Sequence, residues 1–261
     1  MSFAHITIGS ITLNFYGLMY FLGTVSGFFI LKYFFTRNKF DFSNTEISDI
    51  IFWSVLGGII GGRIIYILVY FPSYFIKNPY KIFAVWEGGM SIHGGIVGGV
   101  ISLFLFCKFK KWNFWKITDV IVIALALGMF FGRIGNFVNY ELVGRETDSI
   151  FGFDFGDGVK RHPSQLYDAT KNLLIFFTLF FIAKKEKKLS PGILSGIFLI
   201  TISLSRFFVE FFREPDPQIG FLPGQLSMGQ YLSFIVFFLG GFLLHKKIHL
   251  SKADFPKTTK L

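Results

Sequence analysis

The amino-acid sequence predicts an all-α polytopic membrane protein with about seven transmembrane helices, an external amino terminus and a cytoplasmic carboxyl terminus. The composition and the distribution of charge lead to this prediction. Of the 261 residues, 52% are hydrophobic and 20% are aromatic, whereas only 16% are charged. Soluble globular domains carry about 25% charged residues. The chain therefore has the composition of a protein whose surface faces lipid.

Seven apolar stretches are each close to the length that a membrane span requires, which is about 20 residues. We treat the whole chain, 1–261, as a single membrane domain that contains them. The predicted spans are 15–35, 47–71, 90–107, 117–137, 164–183, 191–212 and 227–244.

The basic residues alternate in density from one connection to the next. Sixteen of the 26 lie in one set of connections or after the last span, six lie in the opposite set, and four lie within spans. Lysine and arginine mark the cytoplasmic side of a membrane protein. The formal charge of +10 is thus a topology signal, and we expect no nucleic-acid partner. Because Lys32 follows the first apolar stretch, we expect no cleavable signal peptide and an external amino terminus.

The sequence offers little to a metal ion or a disulfide. Cys107 is the single cysteine, and the five histidines lack the spacing of a metal-binding motif. We therefore expect neither a metal nor any other cofactor.

Two predicted spans carry paired glycines at the same spacing. The segments are "GGIIGGRIIYI" from Gly57 and "GGIVGGVISLF" from Gly94. Small residues four positions apart allow helix backbones to approach closely within a bilayer. We expect the second and third spans to pack through these glycines.

Ionisable side chains, together with Asn136, concentrate at the predicted outer ends of the spans. Such groups are costly in a bilayer and usually face a cavity or a partner. We expect them to converge on one site, with Arg63 about two turns below the outer end of its span. The other members are His93, Arg133, Asn136, Glu141, Asp168, Lys171, Arg206, Glu210 and Arg213.

Arginines at this depth indicate anion binding. Guanidinium groups bind phosphate through paired hydrogen bonds and stabilise charge that develops on a leaving phosphate. A phospholipid headgroup is the nearest anion, and a histidine or a carboxylate could take the proton of an incoming nucleophile. The structural alternative is that Arg206, Glu210 and Arg213, which share one helical face, form a buried ion pair between helices. For His93 the alternative is a polar contact with the backbone.

The stretch "GRIGNFVNYELVGR", Gly132 to Arg145, resembles the signature G-R-x-G-N-F-x-N-x-E-x-x-G-R of the prolipoprotein diacylglyceryl transferase family. The similarity continues in order along nearly the whole chain. The further matching segments are "FYGLMYFLG", "WEGGMSIHGG", "RHPSQLYD", "SRFFVEFFREPD" and "LSMGQ".

The resemblance implies a transferase of the bacterial cytoplasmic (inner) membrane, with an active site that faces the outer leaflet. It would move the diacylglyceryl group of phosphatidylglycerol to the lipobox cysteine of a prolipoprotein and release glycerol phosphate, in the first step of lipoprotein maturation. Its implied partners are phosphatidylglycerol, the lipobox signal peptide and the bilayer. The implied catalytic residues are His93, Arg133, Glu141, Arg206 and Glu210, and the implied substrate-binding residues are Tyr16, Arg133, Asn136, Asn139, Gly144 and Arg206.

Two features depart from the family pattern. Asp168 stands where glutamate is common, and the external cap that we expect from Asn139 to His162 is short. Within it, the glycines and mixed charges of "DSIFGFDFGDGVK" predict an irregular loop.

Two other functions compete with this prediction. A transporter would need polar residues through the inner halves of its spans, which here are almost wholly apolar. A metal-dependent phosphatidyl-alcohol transferase would need several aspartates close together on one span, but Asp119 stands alone in the fourth. The sequence does not choose between His93 and a carboxylate as the base.

Overall fold

The computed structural model describes residues 5–8, 11–186, 189–214 and 220–254. A helix lies at each of the seven predicted spans, and a short helix follows the second of them. The helices are α1 (Phe15–Arg37), α2 (Asn44–Tyr70), α3 (Pro72–Lys77), α4 (Ile92–Phe109), α5 (Phe114–Val138), α6 (Ser164–Lys185), α7 (Ile193–Val209) and α8 (Met228–Asp254).

Six of the described helices are long and apolar enough to cross a membrane, which confirms the prediction of a polytopic membrane protein. The seventh apolar helix, α7, has 17 residues, or about 25 Å at 1.5 Å per residue. The prediction of a longer helix at 191–212 was wrong at both ends. Gly192 has a φ of 99° that the helix cannot include, and the residues after Val209 form turns.

Large apolar side chains remain exposed along the helices. Examples are Phe29 on α1 at 62% exposure, Leu68 on α2 at 63% and Phe242 on α8 at 69%. An apolar surface of this extent matches a hydrocarbon solvent better than water. The helices therefore bury one side against each other and present the other side to lipid.

The chain divides into two compact units, one made of residues 1–34 and 118–261 and the other of residues 35–117. The prediction of a single membrane domain over 1–261, with an external cap at 139–162, stays a prediction. The two units are described separately below.

In the unit of residues 35–117, α2 and α4 pack through their glycines, as the sequence predicts. A Cβ atom added at Gly61 would lie 2.7 Å from the Cα of Gly98, and one added at Gly98 would lie 2.8 Å from the Cα of Gly61. A larger residue at either position would force the backbones apart. The spacing of the two glycine motifs therefore sets this helix contact.

Arg63 belongs to the same unit, and it contacts the loop that follows α3. Its side chain is buried, and it donates hydrogen bonds to the backbone carbonyl oxygens of five residues. Its guanidinium also lies 5.1 Å from the ring centre of Phe75. Arg63 thus organises this loop. The five acceptors are Lys81, Ile82, Ala84, Gly88 and Gly89.

In the other unit, the start of α7 is capped by a buried aspartate of α5. The carboxylate of Asp119 accepts hydrogen bonds from Gly192 N–H at 2.7 Å, Ser195 N–H at 2.8 Å and the Ser195 hydroxyl at 2.7 Å. The first N–H groups of a helix need such acceptors because they have no partner within the helix. Asp119 therefore fixes where α7 begins relative to α5.

Within the described part of the chain, three short antiparallel strand pairs lie outside the helices: β1 (His5–Ile8) with β2 (Ile11–Asn14), β3 (Phe153–Asp154) with β4 (Lys160–Arg161), and β5 (Phe221–Leu222) with β6 (Leu226–Ser227). The β3–β4 pair corrects the prediction that "DSIFGFDFGDGVK" is wholly irregular. The turn is closed by Asp154, whose side chain accepts from Gly156 N–H at 2.7 Å and Gly158 N–H at 3.1 Å. Such side-chain-to-backbone bonds define an Asx turn.

Candidate active site

The end of α5 reverses the chain and returns Glu141 to the side of Asn136. Tyr140 N–H donates to the carbonyl of Phe137 at 3.2 Å, and Glu141 N–H donates to that of Asn136 at 2.9 Å. These two bonds form a Schellman motif, in which the turning residue has positive φ and is usually glycine. Tyr140 takes that position with a φ of 60°. Left-handed backbone in a residue other than glycine costs of order 1 kcal/mol or more and is concentrated at functional sites.

Asn136 joins three of the predicted site residues. Its Nδ2 atom lies 3.0 Å from Glu141 Oε2 and 3.5 Å from the Tyr16 hydroxyl, and its Oδ1 atom lies 3.5 Å from Arg133 Nη1. Its amide group therefore connects α1, α5 and the returning segment. Gly135, the preceding residue, lets the Tyr16 ring approach, since a Cβ there would lie 3.0 Å from Tyr16 Cδ2.

Asp168 of α6 is the acceptor that links Arg133 of α5 with Arg206 of α7. Its Oδ2 atom lies 3.1 Å from Arg133 Nε and 2.8 Å from Arg206 Nη1. Its other oxygen, Oδ1, lies 3.2 Å from the Lys171 ammonium one turn further along α6. One carboxylate thus contacts three cationic groups, two of which share a single oxygen atom.

Glu210 is a second buried carboxylate, just beyond the end of α7. It pairs with Arg206, whose Nη2 lies 2.6 Å from Oε2, and with Arg213, whose Nη1 lies 3.5 Å from Oε1. The predicted contact among these three residues is present, although Glu210 and Arg213 follow the last residue of α7 and so do not lie on its helical face. Together these side chains form what we call the arginine cluster: Arg133, Asn136, Glu141, Asp168, Lys171, Arg206, Glu210 and Arg213.

Two carboxylates of the arginine cluster are more buried than the two arginines that share Asp168. The side chains of Asp168 and Glu210 are each 3% exposed, whereas that of Arg133 is 24% exposed and that of Arg206 is 19% exposed. Asp168 and Glu210 thus lie behind these two guanidinium groups, while Glu141 is exposed. A surface of this kind presents positive charge outward and is suited to an anion.

The segment after Glu141 is fixed by backbone contacts on both sides. Gln165 Nε2 donates to the carbonyl of Glu141 at 2.7 Å. Gly144 N–H donates to the carbonyl of His162 at 3.0 Å, and a Cβ added at Gly144 would collide with the carbonyl oxygens of His162 and Phe212. Glycine is therefore required at position 144 by the close approach of three chain segments.

The comparisons with known proteins agree with this arrangement. The sequence model of the family described as prolipoprotein diacylglyceryl transferase matches residues 4–246. A phosphatidylglycerol–prolipoprotein diacylglyceryl transferase of Geobacter sulfurreducens is 42% identical over 248 residues, which cover 92% of this chain and 95% of the relative. One from Rickettsia africae is 43% identical over 242 residues, covering 91% of this chain and 93% of the relative.

The chain belongs to the prolipoprotein diacylglyceryl transferase family. The predictions of that family and of a transferase are thereby confirmed. The stretch from Gly132 to Arg145, on which the resemblance was first recognised, contains the last turns of α5, the Tyr140 turn and the segment around Gly144. In this transferase the motif therefore builds one wall of the arginine cluster.

The remaining predicted site residues have different surroundings. Asn139 follows α5, and its Oδ1 atom is buried with no hydrogen-bond partner among the described residues. His93 is the second residue of α4, in the unit of residues 35–117, and it is exposed. A shared role for His93 and the arginine cluster, and the roles of the site residues in this transferase, stay predictions.

From the sequence, we expected Asp168 and Lys171 to converge with the other charges but assigned neither a catalytic nor a substrate-binding role. The spacing of three, which puts both on one helical face, could have suggested a pair. Gln165 was missed because its contact is with a backbone carbonyl, and nothing in a sequence marks such a bond. Among the described residues there is no group of three or more histidine, cysteine, aspartate or glutamate side chains placed to hold a metal ion.

Proposed function

We propose that this chain transfers the diacylglyceryl group of phosphatidylglycerol to the lipobox cysteine of a prolipoprotein, as the names of its relatives describe for them. In the reaction, the cysteine sulfur forms a bond to a glyceryl carbon while the bond from that carbon to the phosphate oxygen breaks. The electron pair of the broken bond leaves with glycerol phosphate. The thiol proton passes to a base, and the product is a thioether.

The observation that carries this proposal is the pair of partly exposed guanidinium groups held on one buried carboxylate. The arginine cluster contains four cationic side chains and three carboxylates. Binding one singly charged phosphodiester would balance these charges. Arg133 and Arg206 would hold the phosphate and stabilise the charge that grows as it departs.

Of the three carboxylates in the arginine cluster, Glu141 is best placed to accept the proton of the cysteine thiol. It is exposed, and among the described residues its side chain accepts one hydrogen bond, from Asn136. Asp168 and Glu210 are buried and already bound to arginines, and proton transfer to either would break an ion pair. His93, also exposed, is the alternative base.

The glycerol part of the lipid requires neutral polar partners. The buried Oδ1 atom of Asn139, which has no partner among the described residues, can accept from a glycerol hydroxyl group. Asn136 belongs to the arginine cluster, and its Nδ2 atom lies 3.5 Å from the Tyr16 hydroxyl. Gly144 contributes by allowing the segment after Glu141 to approach His162, which precedes α6, and Phe212, which follows α7.

The topology belongs to the same proposal. Seven spans, with α7 as the shortest, put the amino terminus outside and the carboxyl terminus in the cytoplasm, in keeping with the distribution of basic residues. The ends of α5, α6 and α7 that bear the cluster then face the outer leaflet of a bacterial cytoplasmic membrane, and 139–162 forms an external cap. A prolipoprotein reaches that side after export.

The test uses purified protein in phosphatidylglycerol vesicles with a synthetic lipobox peptide. Mass spectrometry should show a peptide heavier by one diacylglyceryl group, together with release of glycerol phosphate. A matched peptide with serine in place of the cysteine should stay unmodified. An unchanged cysteine peptide in the presence of folded protein would refute the proposed reaction.

A further inference from the structure

The charges behind the two phosphate-binding arginines form a unit of their own within helix α6. We propose that Asp168, held in place by Lys171, is the positioning residue that sets Arg133 and Arg206 as one phosphate-binding fork. This inference rests on the proposed function and names a part of the site that the predicted site residues leave out. Neither side chain needs to touch the lipid for this role.

The geometry is that of a single shared acceptor. Arg133 Nε and Arg206 Nη1 come from different helices, yet both lie within 3.1 Å of the same Asp168 oxygen, Oδ2. The remaining guanidinium nitrogens of Arg133 are its two Nη atoms, one of which contacts Asn136 at 3.5 Å. The shared oxygen therefore keeps Arg133 Nε and Arg206 Nη1 close to each other, since each lies within 3.1 Å of it.

Electrostatics explains why such a residue is needed. Two guanidinium groups repel each other, and the repulsion grows as water is excluded. A bound phosphate would relieve it, but the empty site has to hold the arginines without the phosphate. The Asp168 side chain is 3% exposed. Its attraction to the two guanidinium groups is therefore only weakly screened by solvent and salt.

Lys171 orients the carboxylate of Asp168. Its ammonium lies 3.2 Å from Oδ1 of Asp168 and 3.1 Å from Oδ1 of Asn172, which is fully buried. With Oδ1 held by Lys171, Oδ2 points to the arginines. Without Lys171, the arginine cluster would contain three arginines and three carboxylates and would carry no net charge. Lys171 therefore supplies its excess positive charge. An anion site with no excess positive charge would bind phosphate weakly.

The experiment measures steady-state transfer to the lipobox peptide at varied mole fractions of phosphatidylglycerol. For Asp168→Asn we expect kcat/KM for the lipid to fall about 100-fold, because misplacement of binding groups by about 1 Å has effects of that size. The inhibition constant of added glycerol phosphate should rise in parallel. The KM for the peptide should change less than about twofold.

Two further variants separate positioning from folding. Asp168→Glu keeps the charge and should retain at least about a tenth of the wild-type kcat/KM. Lys171→Met leaves both arginines and Asp168 in place, and it should lower kcat/KM about tenfold, with partial recovery in Lys171→Arg. A change that merely reduces the folded fraction would lower the apparent kcat and leave KM and the inhibition constant unaltered.

The matched control is Asp154→Asn, which makes the same chemical change in the β3–β4 turn, where asparagine still offers an acceptor to Gly156 and Gly158. It should keep its KM for the lipid. If Asp168→Asn folds and has the wild-type KM and inhibition constant, the inference is overturned. The same holds if Asp168→Asn is unfolded and Lys171→Met has wild-type constants.

Failure of the proposed function would look different. In that case the wild-type protein itself would leave the cysteine peptide unmodified, and no variant would be informative about transfer. An active wild-type enzyme whose lipid constants do not respond to Asp168 or Lys171 would leave the proposed function standing and remove only the positioning role.

Discussion

The two ends of helix α7 each lie against a buried carboxylate from another helix, and the partners of those carboxylates differ. At the start, Asp119 accepts from two backbone N–H groups and one hydroxyl group. At the other end, Asp168 contacts two guanidinium groups and an ammonium.

This difference distinguishes a buried carboxylate that stabilises the fold from one that serves a binding site. Asp119 satisfies donors that the fold itself leaves unpaired, as a helix cap does. Among the described residues, Asp168 contacts three cationic side chains and no backbone donor. Two of these side chains, Arg133 and Arg206, remain partly exposed, at 24% and 19%. Buried charge with exposed counter-charge indicates a ligand, whereas buried charge with backbone donors indicates architecture. The predictions below test that distinction.

The largest effect should come from Arg206→Lys, and Arg133→Lys should behave similarly. Lysine keeps the charge but cannot make the paired hydrogen bonds of a guanidinium group. We expect kcat/KM for phosphatidylglycerol to fall by about 100-fold or more, while the protein remains folded. Steady-state kinetics and thermal unfolding in detergent measure both quantities. Near-normal turnover in a folded variant would show that a positive charge alone suffices there.

Glu141→Gln and His93→Gln decide between the two proposed bases. Removal of the true base should lower kcat by about 100-fold at neutral pH and flatten the dependence of the rate on pH, because base catalysis contributes of that order. We expect this result for Glu141→Gln and a much smaller loss for His93→Gln. The reverse outcome would assign the proton to His93.

Gly144→Ala should destabilise the segment behind the arginine cluster. The added Cβ would collide with the carbonyl oxygens of His162 and Phe212, and overpacking of this kind costs about 1–3 kcal/mol. We expect a lower melting temperature and lower activity. Gly128→Ala is the matched control, since a Cβ there meets no atom within 4 Å. Equal melting temperatures for the two variants would contradict the close approach at Gly144.

Asp119→Asn should affect stability and spare the reaction. One of the two acceptor oxygens becomes an NH2 group that faces N–H donors, and the loss is about 1–3 kcal/mol in the free energy of unfolding. The melting temperature should fall, while kcat/KM per folded molecule stays within about twofold. The exposed Asp41→Asn serves as a control for the charge change. A large loss of kcat/KM would mean that Asp119 belongs to the site after all.

The smallest effect should come from Cys107→Ser. Cys107 is fully buried near the end of α4, and His93 lies near the other end of the helix, about 20 Å away at 1.5 Å per residue. We expect full activity and no diacylglyceryl adduct on the enzyme when peptide is omitted. An adduct, or an inactive but folded variant, would indicate transfer through an enzyme thiol.

Most of the correct structural predictions came from residue spacing within short segments of the sequence. The helices, the glycine packing of α2 on α4 and the proximity of Arg206, Glu210 and Arg213 were all predicted from residue spacing along short segments. Such relations are set by the helical repeat, which a sequence displays directly. The signature around Gly132 to Arg145 likewise identified the family.

The contacts between elements at the arginine cluster were not foreseeable in the same way. The pairing of Arg206 with Asp168 joins residues 38 positions apart, and it depends on how α6 and α7 are rotated about their own axes. The contact between Glu141 and Asn136 depends on the left-handed backbone conformation of Tyr140, which residues other than glycine rarely adopt.

The residue order was therefore enough to identify a membrane-embedded transferase with arginines at the ends of its helices. The three-dimensional packing was needed to show which carboxylates bind those arginines and which one caps a helix. Helix formation and membrane insertion depend on hydrophobicity and hydrogen bonding within short segments. The partner of a buried charge depends instead on distances of about 3 Å between helices, and those are set only when the helices pack.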